Sequence, residues 1–491
     1  MTQQGRDTDL NTAQLGSDTG HAGHIQGALF ALFVLFSMNL LNYVDRYVFA
    51  AVGLGIQRDL DLNKEQFGFL SSSFMVVYTF VAPLVGWLND RMDRRKLLAF
   101  GVGLWSVATV GTAFARSFNE MFWARAFLGV GEASYGVVAP TLLAEFFDTK
   151  RRGRMMALFY LALPVGTAIG YGVGGLMESL AAEHHDSIQS TAGRLGLATI
   201  APSLEGWRSA FWVVGIPGIL LALAGLALRE PGRTDKPKPN WRDYLDVLST
   251  PSYLLNTAGM AAITFTTGAF GSWFPTYFEQ VHKTEPKEKI YLGLGLAFAG
   301  LVGVLLSMWL PEKLRMRTKK AYHLWAGLAI LLAVPFGAMG LLAADRWVSL
   351  GLLTVASIFM SSCLGPCTTV TANVVPINRR GVGFAASIFF LHLLGDIPSP
   401  ILVGWVADRL GQPAGRASAL GRMVESWGTA PVTVGEHTSN LTAGLLMIVP
   451  VLLVGALCFF LGAQFLERDE ARAKATNTAL GLEETDGMPM H

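Results

Sequence analysis

Apolar stretches recur along almost the whole of this chain, each close to the roughly 20 residues that a helix needs to cross a bilayer. That repeat constrains the fold more than any single motif, because it fixes the solvent in which most of the chain must fold. With 52% hydrophobic and 15% charged residues, against about a quarter charged in soluble domains, the composition agrees. Segmentation by length gives about twelve spans, near residues 27–55, 65–89, 97–115, 119–147, 153–178, 208–228, 252–280, 290–311, 322–343, 346–375, 381–407 and 439–465. The expectation is an all-α polytopic membrane protein.

Orientation follows from Lys and Arg, since positively charged loops resist translocation. About two-thirds of them lie in loops on the side of the two termini, which places both termini in the cytoplasm. Residues 1–25 read as a disordered cytoplasmic tail lacking the charged and apolar regions of a cleaved signal peptide. Residues 26–229 form an N-terminal set of six spans, 230–250 a cytoplasmic linker, 251–466 a second set of six, and 467–491 a cytoplasmic tail. Within the linker Trp241, Tyr244, Leu245 and Leu248 fall at i, i+3, i+4, i+7. A short helix over about 240–249 lying on the inner membrane surface fits that spacing, with a disordered linker as the alternative.

The net charge of +2 is spread over loops that the topology already explains, so no nucleic-acid partner is expected. Cys363 and Cys367 share a helix face without a neighbouring His or carboxylate, and His184, His185 and Asp186 are adjacent on one loop. Neither group has the spacing of a metal site, and no nucleotide loop or nucleophile with its base stands out. No enzyme, metal or cofactor is expected.

The two sets of six repeat one another. "TKRRGRMMALF" superposes on "INRRGVGFAAS", placing Arg152 and Gly153 over Arg380 and Gly381, and "GWLNDRMDRR" superposes on "MWLPEKLRMR", placing Asp90 over Glu312 and Arg91 over Lys313. Two pseudo-symmetric six-helix bundles, related by an axis along the membrane normal, account for both matches.

Charges inside the spans are the candidate site. A charge at mid-membrane costs about 2.5–3.5 kcal/mol on insertion scales, so it normally faces a partner or a wet cavity. Asp45 and Arg46 lie in "LNYVDRYVFA" and differ by about 100° around span one, so they face different neighbours. Arg125 and Glu132 share one face of span four, about 10 Å apart, too far to pair with each other. Asn39, Asn42 and Arg46 form a polar stripe beside Asp45. The economical arrangement sets spans one and four side by side in a cavity wall, acids alternating with bases. The alternative ends span one near Tyr43 and leaves Asp45 and Arg46 at the outer interface, and Arg125 has the same alternative. Asp45 and Glu132 are the expected proton carriers, because burial and the nearby arginines push a carboxyl in opposite directions. His392 and Asp396, at i, i+4 in span eleven, line the cavity from the other half, with packing the alternative for His392. The interior cations Arg46 and Arg125 lie in the first half, whereas Trp273, Phe274, Phe278, Phe384 and Phe389 lie in the second. That asymmetry suits a substrate with a charged head and a long apolar part, unless those aromatics face lipid.

On these motifs the chain resembles the major facilitator superfamily. "GWLNDRMDRRK" is similar to that superfamily's loop between spans two and three, through Gly86, Leu88, Asp90, Arg91, Arg94 and Arg95, with Asp93 where the family usually has Gly. "RAFLGVGEASYGVVAP" resembles its fourth-span motif through Arg125, Gly129, Gly131 and Pro140. "GTAIGYGVGG" resembles its antiporter motif, with Tyr171 in place of Pro. A narrower resemblance, to the spinster branch, rests on "NYVDRYVFA", on "RAFLGVGEASY" with Glu132, and on "HLLGDIPSP". Spinster proteins are proposed to move sphingosine phosphates and lysophospholipids, and their acidic and basic cavity residues carry over onto Asp45, Arg46, Arg125 and Glu132. The resemblance implies a proton-coupled secondary transporter exporting an amphiphilic, lipid-like molecule by alternating access; a monomer is expected, and the compact loops and short tails point to a bacterial inner membrane. A multidrug/proton antiporter and a non-transporting membrane sensor are the alternatives. It also implies gating by Gly86, Asp90, Arg91 and Arg94, with Glu145 and Glu312, and brings Asp90 to the start of span eleven near Gly381 and Gly383.

Overall fold

A computed structural model describes residues 9–147, 149–194, 201–204, 206–230 and 240–482. The first half contains α1 (Asp9–Ala51), α2 (Gly53–Asp59), α3 (Lys64–Asn89), α4 (Arg94–Thr112), α5 (Phe118–Phe146), α6 (Thr149–Tyr160), α7 (Ala162–Glu183), α8 (His185–Arg194) and α9 (Arg208–Leu226). After α10 (Trp241–Leu248), the second half contains α11 (Pro251–Val281), α12 (Lys289–Arg315), α13 (Ala321–Leu342), α14 (Arg346–Ser361), α15 (Leu364–Val374), α16 (Arg380–Leu391) and α17 (Pro398–Gly411). It closes with α18 (Pro413–Arg416), α19 (Ala419–Ser426), the strands β1 (Val432–Val434) and β2 (His437–Ser439), α20 (Leu441–Leu445) and α21 (Ile448–Ala479). Among the described residues, ten helical stretches are long and apolar enough to cross a membrane by length and composition. With α4 and α11, of 19 and 31 residues, they match the twelve spans read from the sequence.

Several spans expected to be continuous are broken. In span eleven a π-helical turn, His392–Asp396, joins α16 to α17, and the Ile397 amide reaches back to the His392 carbonyl at 3.0 Å. Pro398 and Pro400 lack amide hydrogens, so the regular ladder cannot continue through them. From Asp9 the segment expected to be a disordered tail is already helical and continuous with α1. Extending a formed helix avoids the cost of nucleation, and that cost is what keeps an isolated tail unfolded. The linker helix α10 lies where its apolar spacing put it, and Arg379 ties it to the second half through Asp243 and Asp246, both at 2.9 Å. The rest of the linker, 231–239, falls outside the described residues.

α21 runs well beyond the expected end of its span. Its Asp469 carboxylate accepts the Ser252 amide at the start of α11 at 3.0 Å, and Asn477 accepts the amide of Ile377 at 3.0 Å. The expected tail is therefore partly a packed piece of the second half. The 412–440 segment also holds an antiparallel hairpin, with Val432 opposite Ser439 and Val434 opposite His437. It turns at Gly435, whose φ is +59°.

The halves meet at one membrane face and part at the other. At the face opposite the termini, α3 packs on α17, α7 on α12 and α1 on α11. Backbones touch at the first of these crossings. A Cβ on Gly68 would sit 2.3 Å from the Pro400 carbonyl oxygen, and one on Gly404 2.3 Å from that of Lys64. Only Gly allows such an approach. At the termini face a Cβ on Gly381 or on Gly86 would meet nothing within 4 Å. The molecule is thus sealed on the far face, and among the described residues Gly381 near the start of α16 has no close neighbour on the other.

Candidate functional site

α5 is set by Ser117, whose hydroxyl accepts the Glu120 amide at 3.3 Å, and it runs uninterrupted through Arg125 and Glu132. It lies backbone to backbone with α4, since a Cβ on Gly131 would sit 2.5 Å from the Gly101 carbonyl oxygen. α1 crosses nearby. Arg46 donates from Nε and Nη2 to Glu132 Oε2 at 2.8 and 2.6 Å, so the expected meeting of spans one and four is present. Asp45 turns the other way, as its offset around the helix required, and accepts from the Thr109 hydroxyl of α4 at 2.8 Å.

The four charges differ in access. The Arg46 side chain is 23% exposed, whereas Asp45, Arg125 and Glu132 are buried as whole residues. The sequence reading put all four in a cavity wall. In the structure Arg46 alone reaches the wall, and the other three stand behind it. A six-helix bundle has an inner layer as well as a lining, and spacing along one helix cannot separate the two. Arg125 is held by aromatic faces, its guanidinium carbon 4.0 Å from the centre of the Phe49 ring and 4.5 Å from that of Phe74. Phe74 also carries Arg46 at 5.2 Å, so one ring separates the two cations. Tyr43 and Tyr78 complete the ring of aromatics around Arg46, at 5.7 and 5.8 Å. Asp45 Oδ1, Glu132 Oε1, Arg125 Nε and Asn42 Nδ2 are buried and have no hydrogen-bond partner among the described residues. Asn39, by contrast, spends its amide on the Phe159 carbonyl at 2.9 Å.

The second half approaches through Tyr78. His392 stacks edge-on against that ring at 5.9 Å and shares a hydrogen bond of 2.8 Å with Asp396 through Nδ1. Both are partly exposed and stand across the gap from Arg46. Phe389 meets Phe80 of α3 edge-on at 6.4 Å, and Phe384 is half-buried on α16. Trp273 is the departure from expectation. It is wholly buried, donates to the Pro400 carbonyl at 3.0 Å, and continues a ring column from Phe49 through Phe67 into the second half. It belongs to the far-face seal rather than to a substrate cavity. Phe274 and Phe278 are buried core as well.

Among the described residues, the contacts of Arg91, Arg94, Glu145 and Glu312 stay within their own halves. Arg94 pairs with Glu145 at 2.7 Å and with Glu230 at 3.4 Å. Arg91 lies on the Trp87 ring at 4.3 Å. Glu312 accepts from the Tyr322 hydroxyl at 2.6 Å. Asp90 terminates α3, and among the described residues nothing lies within 4 Å of a Cβ on Gly381 at the start of α16, where it was expected to dock. Asp93 resolves the departure from the loop motif. With φ −60° it needs no glycine geometry, and its carboxylate caps α4 by accepting the Arg95 and Lys96 amides at 2.9 and 3.4 Å. Tyr171, standing where the antiporter motif has Pro, donates to the Gly271 carbonyl across the seam at 3.1 Å.

Sequence reasoning missed Thr109, because a hydroxyl in an apolar span is unremarkable until its partner is known. It also missed Lys64, Lys289 and Asp408, which stand at span ends and read as interface charges; the first two are buried at 2% and 0% exposure.

The family model described as Major Facilitator Superfamily matches residues 35–400. Protein spinster homolog 1 of Xenopus laevis is 30% identical over 510 residues, covering 96% of this chain and 88% of that protein. The Homo sapiens protein of the same name is 29% identical over 473 residues, covering 90% and 81%. Among solved structures, a bacterial homolog to the human lysosomal transporter Spinster, in an inward-facing and unoccupied conformation, superposes with a TM-score of 0.76 at 22% identity, covering 90% of this chain and 98% of that one. The fold is thereby shared, and the sequence relationship spans nearly the full chain. This chain belongs to the major facilitator superfamily and is a membrane transporter of the spinster type.

Proposed function

We propose that the protein is a proton-coupled secondary transporter that moves an amphiphilic, lipid-like molecule by alternating access, with Asp45 and Glu132 carrying protons. The observation that carries this reading is the Arg46–Glu132 pair, whose cation is partly exposed and whose anion is not. A proton on Glu132 releases Arg46 to an anionic head in the cavity, and an anionic head drawing Arg46 away leaves Glu132 as an uncompensated buried acid that takes up a proton. Proton and anionic substrate are therefore loaded together. A cationic substrate would instead compete with Arg46 for Glu132 and exchange for the proton. Asp45 extends the relay into the bundle behind, and Tyr78, His392 and Asp396 face the same space from the second half. The aromatics Phe80, Phe389 and Phe384 suit an apolar chain, each buried CH₂ contributing about 0.8 kcal/mol. One chain supplies both halves, which supports a monomer, and the Lys and Arg bias supports cytoplasmic termini.

The test is uptake into liposomes holding the purified protein, with and without a pH gradient, using lysophospholipids of graded chain length. Transport should follow the gradient and rise with chain length. Glu132→Gln should abolish gradient dependence, and Arg46→Ala should weaken all lysolipids by a similar factor. Gradient-independent flux, or preference for small sugars, would overturn the reading.

A further inference from the structure

Away from the coupling charges, the densest polar constellation lies on the seam at the far face. Asp408, in the last turn of α17, accepts the backbone amide of Lys64 through Oδ1 at 3.2 Å and that of Glu65 through Oδ2 at 2.9 Å. These are the first two amides of α3, unpaired within the helix and at the positive end of its dipole. A carboxylate of one half thus caps a helix of the other. α3 does not depend on it. Asn63 and Gln66 already form a capping box, with Asn63 accepting the Gln66 amide at 2.8 Å and Gln66 accepting the Asn63 amide at 3.0 Å.

Lys289, at the start of α12, makes the second bridge. Its ammonium donates to the Ala51 carbonyl at 2.7 Å and pairs with Glu178 at 2.9 Å, both in the first half. It also pairs with Glu279 of its own half at 2.7 Å. Each bridge is therefore built to break cleanly. When the halves part, α3 keeps its own cap and Asp408 enters water, while Lys289 keeps Glu279 as a counter-charge.

We infer that Asp408 and Lys289 are gating residues of the far face, reversible latches that hold the state open toward the termini. The inference rests on the alternating-access reading and adds the contacts that must break in each cycle. Losing either latch shifts the population toward the state open on the far face.

The experiment uses the full chain in nanodiscs, with the native cysteines replaced by Ser and spin labels at Asn119→Cys and Ser426→Cys, exposed far-face positions on the two halves. A second pair, Met92→Cys and Lys319→Cys, reports the termini face. Asp408→Ala, Lys289→Met and Glu178→Gln are compared with the parent by pulsed electron–electron distance measurement at constant pH. Glu178→Gln loosens the lysine latch without touching Lys289, so a variant that fails to fold does not end the test. The far-face distribution should gain a longer component, severalfold more populated than in the parent, while the termini-face distribution shortens. If lysolipid or a pH step moves the parent's distances but the folded variants match the parent, the latch is overturned and alternating access stands. If no condition moves the parent's distances, both fall.

Discussion

Arg46 and Asp45 are neighbours in sequence, yet they do separate work because a helix turns about 100° per residue. Arg46 looks toward the cavity and Asp45 toward α4, where Thr109 is its hydrogen-bond donor. Thr109→Val keeps the shape and removes the donor, leaving the Asp45 carboxylate without a partner on either oxygen. Such a loss costs about 1–3 kcal/mol at a buried group. Proton-driven transport should fall and the unfolding temperature should drop, whereas Thr109→Ser should restore both. A Val variant that transports and unfolds like the parent would show that Asp45 is not held by this bond. The four charges were legible from sequence because charge inside an apolar run is costly and therefore conspicuous. Thr109 was not, since hydroxyls sit in spans without cost by bonding the preceding turn.

At the scale of elements, α4 begins where its charge pattern dictates. The hydrogen bond from the Arg95 guanidinium, at 2.9 Å, holds the Asp93 carboxyl well below the usual carboxylate range. A depressed folded-state value means that the stabilisation is fully present above the ordinary carboxyl value of about 3.9 and is lost only as pH falls through the lowered one. Across neutral pH the cap is therefore constant. Asp93→Ala should cost about 1 kcal/mol, as loss of a side-chain cap does, and Asp93→Asn much less. Chemical denaturation at pH 7 measures both, and equal losses would show that charge rather than capping matters here. Span lengths and the linker helix were legible because hydropathy and apolar spacing act locally. The packed end of α21 was not, because it depends on partners brought in from other helices.

For the whole molecule, the repeat of two loop motifs was enough to expect two bundles, and the family match and the packing agree. The face on which those bundles touch is set by contacts between residues hundreds of positions apart, such as Asp408 with Lys64, so the sequence order is silent on it. Asp90 bears on the same equilibrium from the other side. No contact among the described residues joins Asp90 to the start of α16 here, so a latch between the two belongs to the opposite state, and Asp90→Asn should raise the share of this one. The termini-face labels at Met92→Cys and Lys319→Cys should then report a more populated long distance, and an unchanged distribution would remove Asp90 from the gate. The placement of the coupling charges also has a consequence for how the chain is made. Asp45, Arg46, Thr109, Arg125 and Glu132 all belong to the first four spans, so on a ribosome the acids and bases emerge and meet before any residue of the second half exists. Two acids and two bases sum to zero charge, so insertion of these four spans would carry that set into the membrane without a net charge.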